Sequence, residues 1–238
     1  MPDQRHHRGP HPEDHILFAP EAVPALRSAV ADLSWLLTRN YASPGATKLV
    51  GDRYNLTQRQ RTAVMRCACS DASLEYRLTR QIPSSQMPTP LLLIDGYNVL
   101  TTIEAALAGG ALFIAHDGCL RDMASIHGTY RKVEETLPAL QLAGHVLSRL
   151  GIPRCAWYLD SPVSNSGRLK AAILDIAAQH RWDWPVEVVN NPDPLLAASD
   201  EVIATADSAV LDRCARWFNL ARFIVLAAVP QPRIIDLS

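Results

Sequence analysis

The stretch Leu91-Leu92-Leu93-Ile94-Asp95-Gly96-Tyr97-Asn98 runs four apolar residues into an acid, a glycine, a tyrosine and an asparagine. An apolar run this short, closed by turn-forming residues, reads as a strand covered on both faces. Further short runs repeat the rhythm: Ala111 to Ala115, Cys155 to Leu159, Val186 to Val189, Val202 to Ala204 and Phe223 to Leu226. Between them, Val133 to Leu150, Leu169 to His180 and Ala209 to Leu220 carry helical patterns and read as crossover helices. The alternation predicts an α/β domain with a mainly parallel sheet over residues 90–238.

Upstream the period changes. Val23, Leu26, Val30, Leu33, Leu36 and Leu37 recur three and four apart, which places them on one helix face. Residues 41–45 (Tyr-Ala-Ser-Pro-Gly) break that helix, and Thr57 is placed to cap a second one running through Arg61 and Met65 to about Cys69. A small all-helical N-terminal domain over residues 16–78 follows, joined by a Ser- and Pro-containing linker at 79–89. Residues 1–15 hold His, Pro and charge with no apolar period and read as a flexible tail. Its His6, His7, His11 and His15 could chelate a metal, but nothing nearby would order them.

Composition bounds the class without naming a partner. The chain has 238 residues, 48% apolar and 20% charged, with a net charge of −1, as in ordinary folded proteins. Charge is divided unevenly: residues 1–90 hold 11 Lys/Arg against 8 Asp/Glu, and the remainder 12 against 16. Cys67, Cys69, Cys119, Cys155 and Cys214 show no CxxC pairing, so reduced core thiols are expected rather than a zinc site. The opening residues lack the apolar stretch of a secretory signal, and no segment has the length of about 18–20 apolar residues needed to span a bilayer. A cytoplasmic protein without a membrane partner is expected.

What ends each strand carries the chemistry. LLLID closes on Asp95, ALFIAHD on Asp117, CAWYLD on Asp160 and VIATAD on Asp207. In an open parallel sheet the carboxyl ends lie on one edge, where ligand crevices form. Carboxylates gathered there repel one another unless a cation neutralises them, and an all-oxygen donor set suits Mg²⁺ or Mn²⁺. The alternative for each aspartate is to cap the helix or turn behind its strand.

Two loops and one helix add candidates. Residues 116–122 (His-Asp-Gly-Cys-Leu-Arg-Asp) place Arg121 either toward a substrate phosphate or in an ion pair with Asp122. Residues 161–168 set Ser161, Ser164 and Arg168 before a helix N-terminus, where amides can meet a phosphate or simply form a capped turn. In the helical part Arg59 and Arg66 share a face beside Arg53, Arg61, Tyr54 and Asn55; they suit a nucleic-acid backbone, a solvated surface or a domain interface. No GxGxxG or P-loop pattern follows any strand.

Leu93-Ile94-Asp95-Gly96-Tyr97-Asn98 resembles the opening motif of NYN domains, a branch of the PIN-like metal-dependent ribonucleases, and Thr205-Ala206-Asp207 resembles their later T-x-D strand end. From about Phe18 onward the chain also resembles an uncharacterised prokaryotic family, domain of unknown function family 434, through LTQRQR, HDGCLRD and LDSPVSNSG. That likeness implies a helical domain ahead of a three-layer PIN-like domain. It implies that Asp95 and Asp207 ligate metal, that Asp160 and Asp117 complete the cluster, and that Asn98 orients a ligand. The acid between first and last motifs sits on a helix in the PIN arrangement; here Asp117, Asp122, Asp160 and Asp200 compete for that place. The expected function is metal-dependent RNA cleavage with Asp95, Asp160 and Asp207 as catalytic residues. The competing functions are a silent RNA-binding or adaptor protein, and a small-molecule phosphohydrolase. A homo-oligomer is compatible with all three.

Overall fold

The computed structural model describes residues 7–87, 89–124, 130 and 132–238; His6 and the start of the tail lie outside them. In chain order the elements are α1 (Asp14–Leu17), α2 (Val23–Thr38), α3 (Ser43–Arg53), α4 (Gln58–Cys67), α5 (Asp71–Arg80), β1 (Leu92–Asp95), α6 (Gly96–Leu107), β2 (Leu112–Ile114), β3 (Leu120–Asp122), α7 (Thr136–Arg149), β4 (Cys155–Asp160), α8 (Ser166–His180), β5 (Val186–Val189), α9 (Asp193–Ala197), β6 (Val202–Ala204), α10 (Ser208–Leu211), β7 (Arg216–Phe218), α11 (Leu220–Ala228) and β8 (Ile234–Asp236). The fold is mixed α/β around a five-stranded sheet in the order β5-β4-β1-β6-β7, with every pairing parallel.

Strand β1 lies at the centre of that sheet and is buried throughout. Its side chains alternate between two apolar clusters: Leu92 and Ile94 pack with residues of α6, α7 and α8, whereas Leu93 packs with Ile203, Leu211 and Trp217. Burial on both sides explains why the run is continuously apolar rather than alternating. Gly96 follows because a Cβ there would meet Leu159 Cδ2 at 2.6 Å and the Tyr158 carbonyl at 2.9 Å. Strand β4 approaches too closely for any side chain at that step.

The run Ala111 to Ala115 is a strand but joins a second, three-stranded sheet, β3-β2-β8. Residues 223–226 are helical, inside α11. A four-residue apolar run does not separate strand from buried helix, and the longer pattern decides: Leu220, Ala221, Ile224 and Val225 are buried while Leu226 is exposed. The expected helix from Ala209 to Leu220 divides into the single turn α10 and the edge strand β7. Residues 41–45 start a helix as well as end one, with Pro44 in the first turn of α3, where its missing N–H costs nothing.

The cap on α4 forms as the sequence indicates, with Thr57 and Gln60 exchanging bonds in a capping box. The helices ahead of β1 do not close a core by themselves. Leu26, Leu33, Val50 and Val64 share one apolar cluster with Ala111, Phe113, Ala115, Ile235 and Leu237 of the second sheet and its flanks. The described part of the tail is anchored too: Arg8 pairs with the fully buried Glu104 of α6, and Asp14 takes two hydrogen bonds from Arg59 at 2.5 and 2.9 Å. All five cysteines are free and buried. No helix among the described residues is long and apolar enough to cross a membrane.

Candidate functional site

The carboxyl edge of the parallel sheet opens into a pocket of about 450 Å³. Asp95, Asn98, Asp160 and Asp207 line it, as do Arg66 and Arg121, joined by Tyr97, Thr101, Thr102, Asp122, Asp193 and Ser208.

Asp95 is the deepest of the acids. It occupies the N-cap position of α6 but makes no capping bond; instead its Oδ2 accepts from Asn98 Nδ2 at 2.6 Å and from Thr205 Oγ1 at 2.7 Å. The first bond closes Asp-x-x-Asn within the β1–α6 turn, and the second comes from the residue just past the end of β6, the strand beside β1 in the sheet. Two motifs 110 residues apart are thereby joined at one carboxylate. Burial raises its pKa to about 7, the bonds from Thr205 and Asn98 oppose that, and the charges of Asp207 and Asp193 add to it.

The other acids are held less deeply. Asp207 is an N-cap, its Oδ1 accepting from the amides of Ala209 at 2.7 Å and Val210 at 3.2 Å. Asp160 accepts from the Asn191 amide at 3.1 Å. The capping alternative is therefore realised at Asp207 and not at Asp95. Asp122, at the end of β3, receives Thr102 Oγ1 at 2.8 Å, Thr101 Oγ1 at 3.2 Å and the Ala124 amide at 2.6 Å. Asp193 was not among the residues singled out from sequence. It begins α9, the helix after β5, and its pKa is raised by burial and then by Asp207 and Asp160. An acid opening a helix behind a parallel strand was the available signal, but it stands four residues beyond the strand end rather than at it.

Asp117 is not part of this pocket. It follows β2, in the second sheet, and is buried against two arginines. Arg121 binds it through two nitrogens at 2.8 and 2.7 Å, and Arg77 of α5 adds a bond at 2.6 Å. Burial alone would push its pKa up; Arg121 and Arg77 outweigh that and hold it well below the usual carboxylate range. Arg121 thus pairs with Asp117 rather than with Asp122. Its Nε also donates to the Ala206 carbonyl at 3.1 Å, which ties β3 to the loop after β6.

Ser161, Ser164 and Arg168 follow β4 but do not line the pocket; the Ser161 amide donates to the Val189 carbonyl at 2.8 Å, and the Ser164 carbonyl receives the Tyr130 amide. Asp200 lies away from it as well, its carbonyl accepting from Arg216. Arg59 and Arg66 separate. Arg59 holds Asp14, whereas Arg66 reaches from α4 into the pocket wall and donates to the carbonyls of Asp122 at 2.5 Å and Ala124 at 3.2 Å. Among the described residues no group of three or more His, Cys, Asp or Glu side chains is arranged to hold a metal ion.

Comparison with known proteins divides the chain where the helices give way to the sheet. Residues 25–80 match a family described as a protein of unknown function (DUF434). An uncharacterised protein of Methanocaldococcus jannaschii is 28% identical over 187 residues, covering 79% of this chain and 89% of that protein. No solved structure matches. A second family model matches residues 84–223, which include the sheet edge and the acids around it, and the chain belongs to that family, described as Domain of unknown function (DUF5616).

Proposed function

We propose that the chain is a metal-dependent ribonuclease with a three-layer PIN-like, NYN-type domain, and that the acidic pocket is its active site. The observation that carries this reading is the bond from Thr205 to Asp95, which brings the two halves of the resemblance, Asp-Gly-Tyr-Asn and Thr-x-Asp, to one carboxylate on the edge where parallel sheets bind ligands.

Asp95, Asp160, Asp193 and Asp207 offer only oxygens; burial, and after it the charge of neighbouring acids, raises the pKa values of Asp95 and Asp193, and a cation relieves both. Mg²⁺ is commonly held by one or two carboxylates with water completing the shell, so a triad of direct protein ligands is not required. Asp95 and Asp207 would hold it, with Asp160 and Asp193 acting through water. A bound Mg²⁺ or Mn²⁺ supplies a water of lowered pKa and charge for the phosphate oxygens. The chain does the rest: Asn98 and Thr205 fix the Asp95 carboxylate, Arg121 braces the loop that carries Asp207, and Arg66 brings a positive charge from the helical region to the wall.

One observation favours a second reading, a catalytically silent RNA-binding or adaptor protein: Asp207 and Asp160 each already accept from backbone amides. A cleavage screen separates the two. Purified chain with Mn²⁺ is expected to cleave an RNA panel, with Asp95→Asn and Asp207→Asn at least ~100-fold slower yet folded. RNA affinity equal in all three proteins without cleavage in any would favour the adaptor, and hydrolysis confined to small phosphate esters would favour a phosphohydrolase.

A further inference from the structure

Tyr97 stands apart from the other groups of the pocket wall. It is the second residue of α6, 8% exposed, with its ring 5.3 Å from that of Tyr130. Its hydroxyl is buried and has no hydrogen-bond partner among the described residues. Buried tyrosine hydroxyls ordinarily find one, because a phenol removed from water without compensation is destabilising. Other polar groups of the lining have partners: Asn98 bonds Asp95, Thr102 bonds Asp122, and Arg121 bonds Asp117 behind the wall. Tyr97 itself lines the pocket, whose five aspartates can only accept.

We infer that the Tyr97 hydroxyl is the ligand-facing donor of the pocket, giving its hydrogen bond to a non-bridging oxygen of a bound phosphodiester. The inference rests on the reading of the pocket as a phosphodiester site. A phenol, with an ordinary pKa of about 10, keeps its proton at working pH. A neutral donor contacts an oxyanion in acidic surroundings without needing an anionic partner of its own, as an arginine there would. The role is substrate binding; no proton is transferred.

Tyr97→Phe removes the hydroxyl and leaves the ring in place. Three proteins, the 238-residue chain and its Tyr97→Phe and Asp95→Asn variants, are compared for thermal midpoint without metal or RNA, and for KM and kcat on a labelled oligoribonucleotide with Mn²⁺. The expected result is a Tyr97→Phe midpoint equal to or above that of the parent, since an unsatisfied group has gone, with KM raised about tenfold and kcat little changed. An unchanged KM makes Tyr97 a packing residue. A lowered midpoint means that the hydroxyl already serves the protein's own structure, and a loss confined to kcat means that it acts only in the transition state; each overturns the inference. If these occur while Asp95→Asn abolishes metal-dependent cleavage, the nuclease reading survives alone. If the parent chain cleaves nothing, both fall together.

Discussion

Asp95 and Asp117 are both buried acids that follow a short apolar run, and their surroundings give them opposite properties. Asp117 faces Arg121 and Arg77 and stays ionised; Asp95 faces hydroxyl, amide and other acids, and titrates near neutrality at about 7. The folded protein therefore binds the Asp95 proton more tightly than the unfolded chain, whose aspartates titrate near about 4. That contribution to stability is complete below about pH 4 and is lost as pH rises through about 7. Relative to Asp95→Asn, the metal-free parent should lose roughly 2–3 kcal/mol between pH 5 and pH 8, measured by urea unfolding of both proteins. Equal pH dependence in the two would place Asp95 in water. Asp117→Ala should behave differently, because it leaves the buried Arg121 guanidinium without its carboxylate and Arg77 with Asp212 alone. A loss of about 3–5 kcal/mol is expected at pH 7, and a loss below 1 kcal/mol in the same assay would show that the arginines find other partners.

At the scale of elements, the strand-to-helix step at β1–α6 places the pocket, and Gly96 permits it. Gly96→Ala forces a Cβ onto the Tyr158 backbone and Leu159; about 1–3 kcal/mol of destabilisation is expected by thermal denaturation, and a neutral result would mean that β4 can retreat. Strands β1, β4 and β6 were legible in the sequence because burial on both faces makes them mostly apolar; the edge strand β5 was legible from its three valines, although Glu187 is exposed. So was α4, whose cap is written into Thr57 and Gln60. Strands β3 and β8 were not legible: each is three residues long and carries charge, since Arg121, Asp122 and Asp236 point to specific partners rather than to an apolar layer. Helix α11 was misread because its most apolar four residues look alike in either conformation. Of the site, the strand-end acids Asp95, Asp160 and Asp207 could be read directly. Asp193 and Tyr97 could not, because their importance depends on which residues face the same space, and Asp117 misled because its arginine partner Arg77 comes from a distant helix.

The whole molecule is built so that the pocket depends on both parts of the chain. The helical region contributes Arg66 to the wall and Arg77 to the Asp117 cluster, and it covers the outer face of the second sheet, including Phe113 and Ile235. Residues 81–238 expressed alone should therefore bind a hydrophobic dye and unfold without a sharp transition, whereas cooperative unfolding of that fragment would make the two parts independent. The sheet, the β3 edge and α4 converge on one acidic cavity, and the functional reading stands on what that cavity attracts. The most direct measurement is calorimetric titration of Mn²⁺ into the parent chain and Asp95→Asn at pH 7.5. One saturable site in the parent, weakened at least ~10-fold in Asp95→Asn, is the result expected from carboxylates that share an ion. No binding in the millimolar range, or equal binding by both proteins, would contradict it.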